Sequence, residues 1–372
     1  MDYPKLPASI LPTDGRFGCG PTRIPPTHIK ALFDVPLGTS HRQPPVRHLV
    51  SSVRAQLTAL YGAQTHEVVL GNGGSTAFWA VALASLVRRR SAHAVSGEFG
   101  GKFAAEAAKC PYLEEPQIFR ADPGRLATVE PVAEADVYAW AHNETSTGVV
   151  APVKRPGGGD TALTVVDGTS IAGATPADLD EVDVYYFAPQ KALAAEGGLW
   201  LALCHESALE RAAQLCVDAR RWVPDILNLH LAAANSRKNQ TVNTPALVTL
   251  ALLDMQLRQI IGMGGLEGAH AHCQASSKML YDWADGRVAS PFVAVESWRS
   301  PVVVTLDFHE VDATWIASAA RANGIVDIEP YRKLGRNQLR IGTYPAVPHA
   351  DVEALRECLN YLVERAPRRT EG

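Results

Sequence analysis

The chain has 372 residues, 47% of them hydrophobic and 20% charged, with a formal net charge of −4. That length exceeds one ordinary core and predicts a large domain plus a smaller one. The charge balance offers no broad basic field, which argues against a nucleic-acid partner, and no uncharged apolar run is long enough for a bilayer, so no membrane association is expected.

The opening segment, MDYPKLPASILPTDG, lacks a basic stretch followed by an apolar one, so no leader peptide is expected and a cytoplasmic location follows. Residues 1–45 are rich in proline and glycine (GCGPTRIPP, GTSHRQPP) and read as an extended arm with loops. Val46, Leu49, Val50, Val53, Leu57 and Leu60 then fall at helical spacing. HEVVLG (66–71) predicts a strand, STAFWAVALASLVRRR (75–90) a helix, SAHAVS (91–96) a strand and GKFAAEAAKC (101–110) a helix. DVYAWAH (136–142), ALTVVDG (162–168) and VDVYYFA (182–188) predict buried strands, and another apolar run spans Leu199 to Cys204. Strands alternating with helices predict an α/β domain with a mostly parallel sheet covered on both faces.

TPALVTLALLDMQLRQIIG (244–262) predicts a long helix stopped by Gly-Met-Gly-Gly. Beyond it come a helix near 266–285, two strand-like runs (VAVES and PVVVTLDF), a helix (DATWIASAARANG), a strand (QLRIGTY) and a last helix (ADVEALRECLNYLVERA). These predict a separate α+β layer. The expected organisation is an arm over 1–45, a large domain over 46–262 and a small domain over 263–372.

The six cysteines form no C-x-x-C pair and are expected to be reduced. His270-Ala-His272-Cys273 is the nearest approach to a metal motif, but alternate helical residues point apart and no second cluster completes a site, so no metal is expected. Trp79, Trp140, Trp222 and Trp283 read as core or interface residues.

Three stretches carry candidate chemistry. VVLGNGGSTAF (68–78) is strand, glycine-rich turn and helix, an arrangement that offers unpaired amides and partial positive charge to a phosphate. It also fits a tight structural turn. VVDGTS (165–170) puts Asp167 at the carboxyl end of a strand, where ligands bind in open α/β sheets; it also fits a turn aspartate. Lys191 follows the next strand, as a buried amine with a lowered pKa or as a surface lysine. A phosphate cradle, a carboxylate and a buried lysine, in that order, are the parts that hold pyridoxal phosphate.

With FGCGPTRIPP (17–26), GTSHRQPPV (38–46), GNGGSTAFW (71–79), WAHNETSTGV (140–149), VVDGTS (165–170), YYFAPQKALAAEGGLW (185–200), KNQTVNTPA (238–246) and GIVDIEPYRKLGRNQLRIGTYPAV (324–347), the chain resembles the phosphoserine aminotransferases, within the fold-type-I, class V pyridoxal-phosphate aminotransferases. The resemblance spans nearly the whole chain. It implies pyridoxal 5'-phosphate as cofactor, with Lys191 its point of attachment and the catalytic base. It implies that Asp167 pairs with the ring nitrogen, Ser75 and Thr76 bind the phosphate, Phe99 stacks on the ring, and Thr145 and Gln190 contact the cofactor. Asn243 and Thr244 are expected to reach the other subunit's phosphate, which implies a homodimer with shared sites. His41 and Arg42 match the receptor for the substrate's distal anion, and Arg340 the arginine that holds the α-carboxylate. The implied substrates are L-glutamate, O-phospho-L-serine and 3-phosphohydroxypyruvate. Ser75-Thr76 and Lys333-Leu334 depart from better-known members, which carry an arginine in the turn and a His-Arg pair before the carboxylate arginine. The alternatives are another class V aminotransferase, such as one using alanine or serine with glyoxylate, and a cofactor-less or nucleotide-binding protein on the same fold.

Overall fold

The computed structural model describes residues 3–157, 162–284, 286 and 288–368. Seven strands line up as one sheet, six of them apolar runs and the seventh the exposed edge strand QIFR. Its strands are β1 (His66–Asn72), β2 (Ser91–Val95), β3 (Gln117–Arg120), β4 (Val137–Ala141), β7 (Leu163–Asp167), β8 (Val184–Phe187) and β9 (Leu199–His205). The labels β5 (Asn143–Glu144) and β6 (Val149–Val150) belong to a separate two-stranded ladder. The spatial order is β1-β9-β8-β7-β4-β2-β3, and only β9 runs antiparallel to its neighbours. The central strands β7 and β8 are buried along their whole length and β4 at all but its last residue, as a sheet covered on both faces requires.

Helices pack on both faces. The chain order is α1 (Pro26–Ala31), α2 (Pro44–Tyr61), α3 (Ser75–Ser85), α4 (Glu98–Lys109), α5 (Glu206–Leu215), α6 (Leu229–Ser236) and α7 (Leu247–Gly262). One apolar cluster joins α2 and α7 to the sheet, and a second joins α3, α5 and α6 to the opposite face. The α3 helix is five residues shorter than its apolar pattern suggests. The Asp136 carboxylate takes the backbone amides of Arg88, Arg89 and Arg90 at 2.8, 2.7 and 3.1 Å, and so draws them out of helical pairing.

The C-terminal layer holds α8 (Gly265–Trp283), β10 (Ala289–Pro291), β11 (Val303–Phe308), α9 (Ala313–Ala322), β12 (Gln338–Gly342) and α10 (His349–Val363). The three strands form an antiparallel sheet in the order β10-β11-β12. Asp285, the last residue of the expected α8 pattern, lies outside the described residues. VAVES is not a strand. The edge strand ends at Pro291, where proline has no amide for a ladder, and Glu296–Trp298 form a single 3-10 turn. The N-terminal arm does not stand apart: Leu6, Phe17 and Cys19 are buried in the same apolar cluster as β11, α9 and α10.

Candidate active site

The carboxyl ends of β7 and β8 meet the N-terminal ends of α3 and α4, and the side chains expected to do chemistry gather there. Asp167 is the last residue of β7 and is 9% exposed. Its Oδ1 accepts the Thr169 amide at 2.8 Å and the Thr169 hydroxyl in a very short contact, while its Oδ2 accepts the Tyr186 hydroxyl at 3.1 Å. Burial raises the carboxyl pKa above its ordinary value, and the Thr169, Lys191 and Tyr186 contacts pull against that rise.

Lys191 is also 9% exposed. Its Nζ donates to Thr145 Oγ1 at 3.0 Å and lies 4.9 Å from the Phe99 ring centre. Desolvation pushes its pKa down to about 8, with Asp167 acting in the opposite sense and Arg340 in the same sense. A side chain on Gly20 would come within 2.6 Å of Lys191 Cε, so backbone packs directly along the lysine stem.

Arg340, on β12, gives one guanidinium N–H to the Thr145 carbonyl at 2.8 Å and lies 5.3 Å over the Tyr331 ring. Thr145 therefore ties the lysine of one layer to the arginine of the other. Arg340 Nε is buried without a partner, and so are Gln190 Oε1 and Asn143 Oδ1. Three such atoms gathered beside Lys191 and Thr145 are candidates for completion by a ligand.

Phe99 is aimed by a buried carboxylate. Glu144 takes the amides of Phe99 and Gly100, each at 3.1 Å, and the Ser146 hydroxyl at 2.6 Å, which places negative charge at the α4 N-terminus. At the head of α3, Ser75 is buried and its hydroxyl meets that of Thr169 at 2.5 Å, whereas Thr76 is exposed. The N-cap of α3 is Gly74, which supplies no side-chain acceptor; its carbonyl takes the Ala77 amide, which leaves the amides of Ser75 and Thr76 to meet an external anion.

Four expected residues lie elsewhere. Arg42, Asn243 and Thr244 are exposed and His41 is half-buried. Thr244 Oγ1 lies 3.3 Å from His41 Nδ1, and Asn72 Nδ2 donates to the Thr244 carbonyl at 2.7 Å. Among the described residues, no hydrogen bond, ion pair or ring contact joins these four to Lys191, Asp167 or Arg340.

Over residues 34–328 the chain matches the family described as aminotransferase class-V. It is 52% identical to a putative phosphoserine aminotransferase of Mycolicibacterium vanbaalenii, across 97% of this chain and 98% of that one. It is 49% identical to the phosphoserine aminotransferase of Rhodococcus jostii, across 97% and 98%. The chain belongs to the class-V aminotransferases. Its fold matches a crystal structure of a phosphoserine aminotransferase from Cytophaga hutchinsonii with a TM-score of 0.85 at 21% identity, covering 94% of this chain and 99% of that one. An alanine–glyoxylate aminotransferase from Nostoc aligns with a TM-score of 0.80 at 20% identity, over 97% of each chain.

As a class-V aminotransferase the protein is a pyridoxal-phosphate-dependent transaminase, and its residues fit that cofactor. Asp167 is a buried carboxylate with only neutral hydrogen-bond donors on it, and a protonated ring nitrogen is the cation it lacks. The open end of α3 suits a phosphate. The lysine at the centre has the lowered pKa that an attacking amine needs.

The sequence reading missed Thr169, Tyr186 and Glu144, and it placed Trp79 only as a core or interface residue. For Tyr186 a signal existed, because it falls on a buried apolar strand, the next one after the strand that ends in Asp167. Nothing in one sequence shows that the two share a register. The histidines of the His270-Ala-His272 pair bond to Thr175 Oγ1 and to the Val347 carbonyl, respectively.

Proposed function

We propose that the protein is a phosphoserine aminotransferase. It moves the amino group of L-glutamate to 3-phosphohydroxypyruvate, reversibly and in ping-pong order, giving O-phospho-L-serine and 2-oxoglutarate. The observation that carries this reading is Arg340 beside Lys191. It is a guanidinium with one edge anchored on Thr145 and a buried Nε left free, set to grip the α-carboxylate that both amino acids share. The relatives at about 50% identity supply the choice among amino acids.

When bound, pyridoxal phosphate supplies the electron sink that makes the substrate Cα–H bond breakable. Lys191 is the attachment point, and its Nζ takes the Cα proton and later returns one. Asp167 accepts the ring N–H and favours its protonated state. Ser75, Thr76 and the first turn of α3 hold the phosphate, and Phe99 covers one ring face. Thr145 and Gln190 supply polar contacts around the ring. The α-carboxylate held by Arg340 keeps Cα within reach of Lys191, the condition for fast proton transfer.

His41, Arg42, Asn243 and Thr244 serve the site of a second subunit in this reading. Their support is their position: they cluster on the surface, and Phe33, 90% exposed, and Leu37 lie on the same stretch of chain. A subunit contact here would cover these exposed apolar side chains. Arg42 would then meet the distal anion of a substrate bound mainly by the neighbouring chain.

Visible absorption of the purified holoenzyme during titration with O-phospho-L-serine, with L-alanine in parallel, tests the reading. Loss of the cofactor's yellow band with phosphoserine but not alanine is the expected result. A yellow protein that responds to alanine and ignores phosphoserine would move the assignment to a class-V enzyme of the alanine–glyoxylate kind. A protein without a yellow band, even after cofactor is supplied, would remove the transaminase mechanism.

A further inference from the structure

Two hydrogen-bonded arms grip Asp167, and both begin on one face of α3. Ser75 and Trp79 stand four residues apart, about one turn of helix. From Ser75 the first arm passes through the Thr169 hydroxyl to Oδ1. The second starts at Trp79, whose indole N–H donates to the Tyr186 hydroxyl at 2.9 Å, and Tyr186 donates in turn to Oδ2 at 3.1 Å. Chemistry fixes the direction of this second arm. An indole nitrogen only donates, and an ionised carboxylate only accepts, so the tyrosine proton must lie on the Asp167 side.

Packing fixes its position. Tyr186 and Asp167 are register partners on β8 and β7, so their side chains leave the sheet on the same face. Tyr186 is fully buried, with Phe78 stacked on it at 4.4 Å between ring centres, and Phe103 stacks on Trp79 at 6.0 Å. The hydroxyl therefore has no other place to go.

We propose that Tyr186, backed by Trp79, is a positioning residue that holds the Asp167 carboxylate ionised and aimed at the cofactor's ring nitrogen. Among the described residues, Oδ1 receives two donors, both from Thr169, whereas Oδ2 receives one, from Tyr186. The remaining acceptor lone pair of Oδ2 is the place for the ring N–H. A donor on Oδ2 favours the anion against the burial that disfavours it. Because both arms start on α3, the helix whose first turn faces the cofactor phosphate also sets the carboxylate, and the two grips keep a constant separation. Tyr186 thus governs cofactor recognition without touching the cofactor. This inference rests on pyridoxal phosphate as cofactor and not on the choice of substrate.

The test compares two ligands on the full-length chain freed of cofactor, with binding followed by protein fluorescence. The ligands are pyridoxal phosphate and its 1-deaza analogue, in which C–H replaces the ring nitrogen. Wild type should bind pyridoxal phosphate more tightly than the analogue. Tyr186→Phe should weaken pyridoxal phosphate about tenfold, the scale of one hydrogen bond to a buried charged group, and leave the analogue within about twofold. Trp79→Phe should show a smaller loss with the same selectivity. Equal weakening of both ligands would mean a packing defect and overturn the proposal, as would unchanged affinity for both. If Tyr186→Phe fails to fold, the same comparison on Trp79→Phe decides, selective loss supporting the proposal and equal or no loss overturning it. A wild-type chain that binds neither ligand would instead remove the cofactor assignment.

Discussion

Arg340 donates to the carbonyl of Thr145 at 2.8 Å, and the hydroxyl of that same threonine accepts from Lys191 at 3.0 Å. One residue, in the turn between β5 and β6, thus sets the distance between the group that grips the substrate and the group that moves its proton. Arg340→Lys keeps the charge but loses the planar fork. We expect kcat/KM to fall about 10- to 100-fold, the scale of a lost charge-assisted contact. Since every substrate carries the α-carboxylate, the fall should be equal for glutamate and phosphoserine. A fall confined to phosphoserine would place Arg340 on the distal anion instead.

The lowered pKa of Lys191 has a stability consequence in the cofactor-free protein. Its folded pKa of about 8 lies below the ordinary 10.5. Between those values the unfolded chain holds a proton that the folded chain has released. The Lys191 contribution therefore rises with pH across about pH 8 to 10.5 and is flat below that window. Thermal melts of wild type and Lys191→Met at pH 7, 8.5 and 10 should show the methionine variant's advantage shrinking as pH rises. A constant difference would mean that the amine is not desolvated. Lys191→Ala should abolish transamination outright.

Gly20 abuts the lysine stem with its φ at +135°, in a region that side chains avoid. Gly20→Ala forces the Lys191 chain to move. We expect the protein to fold and bind cofactor but to lose on the order of 100-fold in kcat, as displacements near 1 Å at reacting groups do. Wild-type turnover would show that the lysine reaches its place by another route.

If two chains share each site, inactive variants should rescue one another. Lys191→Ala lacks the amine but keeps Arg42, and Arg42→Ala lacks the arginine but keeps the amine. Mixed dimers hold one complete site, so random reassortment should restore about a quarter of wild-type phosphoserine activity. Mixing without recovery would confine Arg42 to its own chain's site or to none.

Lys333 pairs with Glu98 in a very short contact that joins the loop before β12 to the head of α4, beside Phe99 and Tyr331. Both groups reach solvent, so their attraction is modest. Lys333→Met should raise KM for phosphoserine several-fold, up to about tenfold, and leave KM for glutamate nearly unchanged, an effect that shrinks in high salt. Equal KM changes for the two substrates would leave Lys333 as an interdomain tie.

Much of this architecture is legible in the chain itself. Alternating apolar runs and amphipathic stretches state the α/β class, because burial on two faces demands that pattern. The local signals also mark Asp167 at a strand end and Ser75 at a helix start. They fail where a distant group decides. Arg88 to Arg90 read as helix until the Asp136 carboxylate captures their amides. VAVES reads as strand although no neighbouring strand pairs with it. The resemblance marks Thr145 only as a cofactor contact, and that it lies between Lys191 and Arg340 appears only in the folded chain.

The sequence by itself determined which side chains this protein has for chemistry and the order of the elements that carry them, because short-range spacing and backbone preference act within a few residues. Only the tertiary structure decided that Tyr186 reaches Asp167, that Thr145 joins Lys191 to Arg340, and that His41 and Thr244 meet on the surface rather than at Lys191. Register between strands and the seating of one layer on another are set by the packing of the whole core, and no local stretch of sequence contains that sum.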